Sequence, residues 1–210
     1  MEIQTIFSND INIYLINIAD ATNLLQRDYV KSWFDSADLL KWDAITSEKR
    51  KREIAATRYL LFKLDLSKDF YYSEAAPMLS NKQFISISHS HDWVGLALSS
   101  KYPIGFDLEL IQEKIARVYD KFTHQDERKF FTPESIEKLT VLWSIKESVY
   151  KLFRQKGLSF SEDICVYQEP SGQFKAVVSV KDGIFEVPLT HQVIDQYVLT
   201  FNSGDVQKQA

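Results

Sequence analysis

The sequence predicts an α+β protein made of two similar halves, each combining helical segments with antiparallel strands. Apolar, β-branched runs of strand length occur in both parts of the chain, and longer stretches with helical spacing accompany them. Strands and helices do not alternate regularly, as a parallel sheet would require. With 210 residues the chain can form two small cores. We place the halves at residues 1–103 and 104–210.

The first half is predicted to open on a strand, continue through two helical regions and close with two strands. Ser47 is suited to begin the second helix, because its hydroxyl can accept a hydrogen bond from a backbone N–H of the first turn. The break at 75–77 contains a proline and separates the helices from the closing strands. The predicted ranges are 11–16 (strand), 21–40 and 47–66 (helices), and 84–88 and 93–98 (strands).

The second half is predicted to repeat this mixture, with a strand, a long helix and three further strands. Gly157 is expected to end the long helix, since glycine favours helix C-termini. The predicted ranges are 104–110 (strand), 133–155 (helix), and 164–167, 174–180 and 193–201 (strands).

The composition favours a soluble protein of the cytoplasm. The 25 basic and 29 acidic residues leave a net charge of −4, so bulk attraction to nucleic acid or to an anionic membrane is not expected. Cys165 is the single cysteine, which excludes an internal disulfide and favours a reducing compartment. The N-terminus lacks a signal-peptide pattern, and no apolar run approaches the roughly 18 residues that span a bilayer.

Two segments carry chemical groups at informative spacing. On a strand, Asp107 and Glu109 would share one face. On a helix, Glu147 and Lys151 would lie one turn apart. Three carboxylates and an ammonium group could hold Mg²⁺, which prefers oxygen ligands, beside a phosphate. Taken alone, each segment favours an ordinary solvated face, the helical one with Lys146 exposed.

Four segments in order resemble motifs of the 4′-phosphopantetheinyl transferases. Residues 105–109, Gly-Phe-Asp-Leu-Glu, are similar to that family's acidic strand, and 143–151, Trp-Ser-Ile-Lys-Glu-Ser-Val-Tyr-Lys, to its Trp-Ser-x-Lys-Glu helix. Upstream, 86–90 resembles the Ser-His motif, and downstream 156–159 resembles the Lys-Gly-Leu-Ser that follows the helix. The length and two-half layout resemble the larger, surfactin-type subfamily, whose members are usually monomeric.

The resemblance implies both a fold and a reaction. Such enzymes transfer the 4′-phosphopantetheine group of coenzyme A to a serine of an apo acyl or peptidyl carrier protein, in fatty acid or secondary metabolism. Carried over, the catalytic residues would be Glu147, Lys151 and Asp107, and Mg²⁺ would be held by Asp107, Glu109 and Glu147. Glu147 could instead act as the base for the serine hydroxyl. Lys151 would contact the transferred phosphate or the pantetheine arm.

The resemblance also implies coenzyme A contacts in the first half. Ser88 and His89 would contact its phosphates, as would Arg50 and Arg58, which occupy matching places in an Arg-x-x-Glu region. Guanidinium groups suit phosphate oxygens. A zinc site is not expected at His89-x-His91, because no third soft ligand has a recognisable spacing.

The chain departs from the family pattern at two places. Ala75-Ala76-Pro77 stands where many relatives have a Gly-Lys-Pro or Gly-Arg-Pro turn, so one basic contact to coenzyme A is missing or replaced. The family also has an assisting acidic residue after a Phe-Thr pair, for which Asp126 and Glu127 are both candidates.

Two alternatives to an enzyme remain open from the sequence. One is a catalytically silent module that binds coenzyme A or a carrier protein. The other is a nucleic-acid-binding protein that uses the basic run 49–52, which the acidic net charge disfavours. Carrier contact could involve Lys114, Arg117 and Lys121, although ordinary surface charge is the favoured interpretation for any one of them.

Overall fold

Antiparallel sheets form the framework of both parts of the chain. The computed structural model describes residues 1–209, which divide into one unit over Met1–Lys101 and a second from Tyr102 onward. Each unit combines an antiparallel sheet with several helices, so the predicted α+β class is confirmed. Within residues 1–209, no helix has both the length and the apolar character needed to cross a bilayer.

The first unit packs its longest helix, α3, on a four-stranded sheet. Apolar residues of α3, such as Leu60 and Leu61, are buried in the same core as Ile16 and Leu96 of the sheet. The sheet order is β1-β2-β6-β5, and β3 and β4 form a separate hairpin. The elements are β1 Ile3–Ser8, β2 Ile11–Asn17, α1 Arg27–Val30, α2 Ser36–Asp43, α3 Glu48–Lys63, β3 Phe70–Ser73, β4 Ala76–Leu79, β5 Phe84–Ser90 and β6 Trp93–Ser99.

The continuous helix predicted at 21–40 is wrong. Backbone at Gln26 and Phe34 is extended, which divides the region into short helical turns and α2. Asp35 then begins α2, because its carboxylate accepts a hydrogen bond from the Asp38 N–H at 2.8 Å. Ser47 caps α3 in the same way, as predicted. Strands β1, β3 and β4 are additions that the apolar pattern did not indicate.

The second unit packs helix α5 against one face of a larger sheet. The strand order is β7-β11-β10-β9-β8, and the short β12 pairs with the first part of β10. Short 3-10 turns at Glu113–Val118 and Gln125–Glu127 flank α4. The elements are β7 Phe106–Leu110, α4 Tyr119–Phe122, α5 Ile136–Phe153, β8 Ile164–Gln168, β9 Phe174–Val180, β10 Gly183–Ile194, β11 Tyr197–Asn202 and β12 Gln207–Lys208.

Two predictions in this unit are corrected. The single strand predicted at 193–201 is wrong, because a turn at Asp195, with φ 53°, separates β10 from β11. Helix α5 ends at Phe153, before the predicted stop at Gly157, since Arg154 takes a left-handed conformation. At both boundaries a non-glycine residue has a positive φ, a conformation that residue type alone does not predict.

Small residues let α5 approach the sheet closely. A Cβ placed on Gly105 would lie 2.0 Å from the Ser148 carbonyl oxygen, so only glycine fits there. The Ser148 hydroxyl donates to the Thr200 carbonyl at 3.0 Å, and the Ser144 and Thr200 hydroxyls lie 2.9 Å apart. These buried contacts hold α5 against β11 and the start of β7, within reach of the acidic strand.

Candidate active site

The acidic residues of β7 face helix α5. Asp107 pairs with Thr200 across β7 and β11, and Thr200 contacts α5, so Asp107 and Glu109 lie on that covered face. Lys151 Nζ donates to Asp107 Oδ1 at 2.7 Å, and Trp143 Nε1 donates to Glu109 Oε1 at 3.1 Å. Asp107 is only 3% exposed, so the alternative of a solvated strand face is wrong for it.

Glu147 lies in the same electrostatic environment. Burial raises the pKa of its carboxyl group to about 7, with repulsion from Asp107 and Glu109 adding to the shift and Lys151 opposing it. The structure thus brings all four predicted residues of the second half together. A carboxyl group with a raised pKa, beside two other carboxylates, is suited to proton transfer or to cation binding.

Two surface clefts border this carboxylate cluster, and Trp143 lines both. One, of about 440 Å³, contains Glu109, and the other, of about 390 Å³, contains Glu147. Glu109 and Glu147 are therefore each accessible from a cleft that Trp143 also lines. The basic residues singled out in the sequence border these clefts: Lys114 and Arg117 the first, and Lys121 the second.

Beneath the cluster, Lys146 forms a fully buried ion pair with Glu127. Their charged atoms are 2.8 Å apart, and both side chains are 0% exposed. Glu127 also accepts hydrogen bonds from the N–H groups of Val166 at 2.6 Å and His124 at 2.7 Å. Burial raises the pKa of Glu127 and lowers that of Lys146, and the charge of each partner opposes the shift.

This pair changes two expectations. The solvated-face alternative is wrong for Lys146, which is buried. Both oxygens of Glu127 are engaged in bonds that join the turn before it to α5 and β8. Asp126 is exposed. Sequence reasoning missed the pair because its members are far apart in the chain and no local pattern links them.

The first unit contains a cleft of about 370 Å³ between α2, α3, β5 and the β3–β4 hairpin. Its walls are aromatic or apolar in part, and its basic side chains come from α2, α3 and β5. Such a mixture suits a ligand with a flat ring and anionic groups. The aromatic residues are Phe34, Trp42 and Tyr72, and the basic residues are Lys41, Arg50, Arg58 and His89.

Arg50 and His89 are held together at one end of this cleft. Arg50 Nη1 lies 3.2 Å from Glu53 Oε2 and 3.0 Å from His89 Nε2. The buried Glu53 carboxylate contacts both side chains, so it orients Arg50 on α3 and holds His89 of β5 beside that helix. Ser88 precedes His89 on β5 and is buried on the opposite face of the strand, because successive side chains alternate.

Arg58 is already paired within the cleft. Its guanidinium group forms an ion pair with Asp38 and lies 4.9 Å from the centre of the Phe70 ring. The neighbouring Asp38 carboxylate also pairs with Lys41 at 3.1 Å. An anionic ligand would therefore share Arg58 and Lys41 with Asp38, while the aromatic contact keeps the guanidinium group in place.

The departure at 75–77 lies at this cleft and predicts a stabilising substitution. Glu74 and Ala75 connect β3 and β4 with φ of 49° and 69°, a two-residue turn that favours glycine. Ala75→Gly is expected to raise the free energy of unfolding by about 0.5–1 kcal/mol, because glycine lacks the steric penalty there. Urea denaturation measures this change in the free energy of unfolding. Ala76→Gly, within β4, should be destabilising, and lower stability for Ala75→Gly would contradict the turn geometry.

Comparisons with known proteins agree with the motifs. Residues 103–201 match the family model described as the 4′-phosphopantetheinyl transferase superfamily. A stretch of 107 residues, 47% of this chain, is 29% identical to 4′-phosphopantetheinyl transferase gsp of Aneurinibacillus migulanus. The match spans 45% of that protein's length. The predicted superfamily is thereby confirmed: residues 103–201, which include the whole carboxylate cluster, belong to the 4′-phosphopantetheinyl transferase superfamily.

Proposed function

We propose that this chain is an enzyme that transfers the 4′-phosphopantetheine group of coenzyme A to a serine of an apo carrier protein. The observation that carries the proposal is the convergence of Asp107, Glu109 and Glu147 with Lys151 within the matched region. The surfactin-type, two-half layout is part of the proposal. In it, residues 1–103 contribute coenzyme A contacts, and 104–210 contribute the acidic strand and the catalytic helix.

The proposed reaction is a displacement at phosphorus. The carrier serine oxygen forms a bond to the pantetheine-side phosphorus, the bond to the bridging pyrophosphate oxygen breaks, and adenosine 3′,5′-bisphosphate leaves with that oxygen. Glu147 accepts the hydroxyl proton as the general base. Lys151, fixed by Asp107, neutralises charge on the transferred phosphate.

The carboxylate cluster fits a hard divalent cation, which we propose to be Mg²⁺. Asp107, Glu109 and Glu147 would hold it. Burial raises the pKa of Glu147 most, repulsion from Asp107 and Glu109 adds to the shift, and a cation would offset that repulsion. When bound, the ion supplies charge neutralisation at the pyrophosphate. Glu147 would help to hold the ion and would also accept the serine proton.

The cleft of the first unit is proposed to bind the nucleotide end of coenzyme A. Arg50 and His89 would contact its phosphates at the end fixed by Glu53. Lys41, exposed on α2, is proposed to supply the positive charge that Ala75-Ala76-Pro77 lacks, since both border the cleft. Ser88, buried on β5, would help to position this strand and with it the neighbouring His89. Arg58, which is paired with Asp38, would contribute positive charge at the wall of the cleft.

The carrier protein is proposed to approach the clefts beside Trp143. Lys114 and Arg117 border one cleft and Lys121 the other, so positive charge surrounds the route to Glu109 and Glu147. An acidic recognition helix on the carrier would be attracted there, mainly through a faster association rate. We further propose that the enzyme acts as a monomer in the cytoplasm, without nucleic-acid or membrane partners.

A silent binding module is the second candidate, favoured by the missing basic turn and by the pairing of Arg58 with Asp38. Release of adenosine 3′,5′-bisphosphate separates the two, with the chain, Mg²⁺, coenzyme A and an apo carrier protein present. The enzyme should release one equivalent per carrier and none with a carrier whose acceptor serine is alanine. Coenzyme A binding without release would support the silent module and overturn the proposal.

The raised pKa of Glu147 predicts that the metal-free protein loses stability as pH rises. The ordinary value is 4.5, and the folded value of about 7 means that the folded state binds this proton more tightly. The stabilisation is thus complete below about pH 4.5 and is lost as pH rises through about 7. Urea denaturation with a chelator present measures the decline. Glu147→Gln should flatten it, and parallel curves for both proteins would contradict the assignment.

A further inference from the structure

Three side chains of the types that bind transition metals converge away from the carboxylate cluster. Donor atoms of His124, Asp126 and Cys165 all lie within 4.8 Å of one another. Imidazole, carboxylate and thiolate together form a mixed nitrogen, oxygen and sulfur set, which suits zinc rather than magnesium. The sequence did not predict this site, because Cys165 lies far along the chain from the other two ligands.

Backbone contacts hold these ligands at the edge of the second unit's sheet. Cys165 is the second residue of β8, an edge strand, and its side chain points away from the buried face formed by Ile164 and Val166. The Val166 N–H donates to Glu127 at 2.6 Å, which anchors the turn at Gln125–Glu127 beside β8. The turn and the strand therefore present His124, Asp126 and Cys165 together.

We infer that His124, Asp126 and Cys165 form a binding site for Zn²⁺ or a similar borderline divalent ion, separate from the proposed Mg²⁺ site. His124 Nδ1 and Asp126 Oδ2 are 3.5 Å apart. Tetrahedral zinc with bonds of roughly 2.0–2.3 Å keeps its donors about 3.3–3.8 Å apart, a range that contains this separation. His124 Nδ1 accepts a hydrogen bond from the Asp126 N–H at 3.2 Å, and coordination through Nδ1 would replace that bond. The Asp126 side chain is 70% exposed, so an ion can reach it from solvent. Three protein ligands leave a fourth position for water.

The test uses Co²⁺ as a spectroscopic substitute for Zn²⁺ in the full chain, with excess Mg²⁺ present to compete at the carboxylate cluster. A stoichiometric thiolate-to-cobalt charge-transfer band is expected, together with the visible bands of tetrahedral cobalt, and Zn²⁺ should displace both. Cys165→Ser should abolish the charge-transfer band. His124→Asn should weaken Zn²⁺ binding by at least about tenfold, while asparagine preserves a capping side chain at that position.

Two matched variants show whether the ion occupies the inferred site. Glu147→Gln changes the other cluster, and His191→Ala removes a different partly buried histidine, so both should keep the band and the Zn²⁺ affinity. Far-ultraviolet circular dichroism should show that every variant is folded. No thiolate band in the unaltered chain, or equal Zn²⁺ affinity for Cys165→Ser, would overturn the inference, and neither result bears on phosphopantetheine transfer.

Discussion

Glu147→Gln is expected to lower turnover by about 10²–10⁴-fold, the range that general acid–base groups contribute. Glutamine keeps the shape of the side chain and removes both the proton-accepting oxygen and one negative charge. Because burial and the neighbouring carboxylates raise the pKa of Glu147, the neutral side chain should fold at least as stably as the original. Single-turnover transfer to a carrier protein, with saturating coenzyme A and Mg²⁺, measures the loss.

The matched control for this change is Glu137→Gln. Glu137 lies in the first turn of the same helix and is exposed, so turnover should remain near that of the unaltered chain. Binding of coenzyme A should survive in both variants, since the proposed nucleotide contacts belong to the first unit. Near-normal turnover of Glu147→Gln would show that Glu147 is not a catalytic residue.

Lys146→Met is expected to destabilise the protein by about 3–5 kcal/mol, the usual cost of removing one partner of a buried ion pair. Methionine approximates the aliphatic part of lysine, so the loss would come from the Glu127 carboxylate left buried without its cation. Lys146 also donates to the carbonyl oxygens of Phe160 at 2.7 Å and Ile164 at 2.8 Å, and those acceptors would lose a donor as well.

Two comparison variants isolate the pair. Lys138→Met, at an exposed position of the same helix, should change stability by no more than about 0.5 kcal/mol. The double variant Lys146→Met with Glu127→Gln should recover part of the loss, because no buried charge remains unpaired. Urea denaturation measures all three. A loss below about 1 kcal/mol for Lys146→Met would show that the pair contributes little to stability.

The parts of the site that the sequence predicted are those governed by local periodicity. Alternation along β7 places Asp107 and Glu109 on one face, and helical spacing along α5 places Glu147 near Lys151. The family resemblance predicts that these two segments contribute to one site. The contact itself depends on Gly105, whose missing side chain lets α5 approach.

The parts that the sequence could not predict depend on contacts between distant residues. Arg58 was expected to bind phosphate, and its pairing with Asp38 could not be read from helical spacing, because the two lie on different helices. The burial of Lys146 depends on its ion pair with Glu127, which also lies in a different element of the chain. The breaks at Phe34 and Asp195 depend on backbone conformations that tertiary packing selects.

The mass of an apo carrier protein after incubation with this chain, coenzyme A and Mg²⁺ tests the central claim most directly. We expect a gain of about 340 Da, the mass of one phosphopantetheine group, located on the acceptor serine. Chelation of the metal should prevent the gain, and restored Mg²⁺ should return it. An unchanged carrier mass with carriers of the fatty acid, polyketide and nonribosomal peptide classes, while coenzyme A remains bound, would contradict the account.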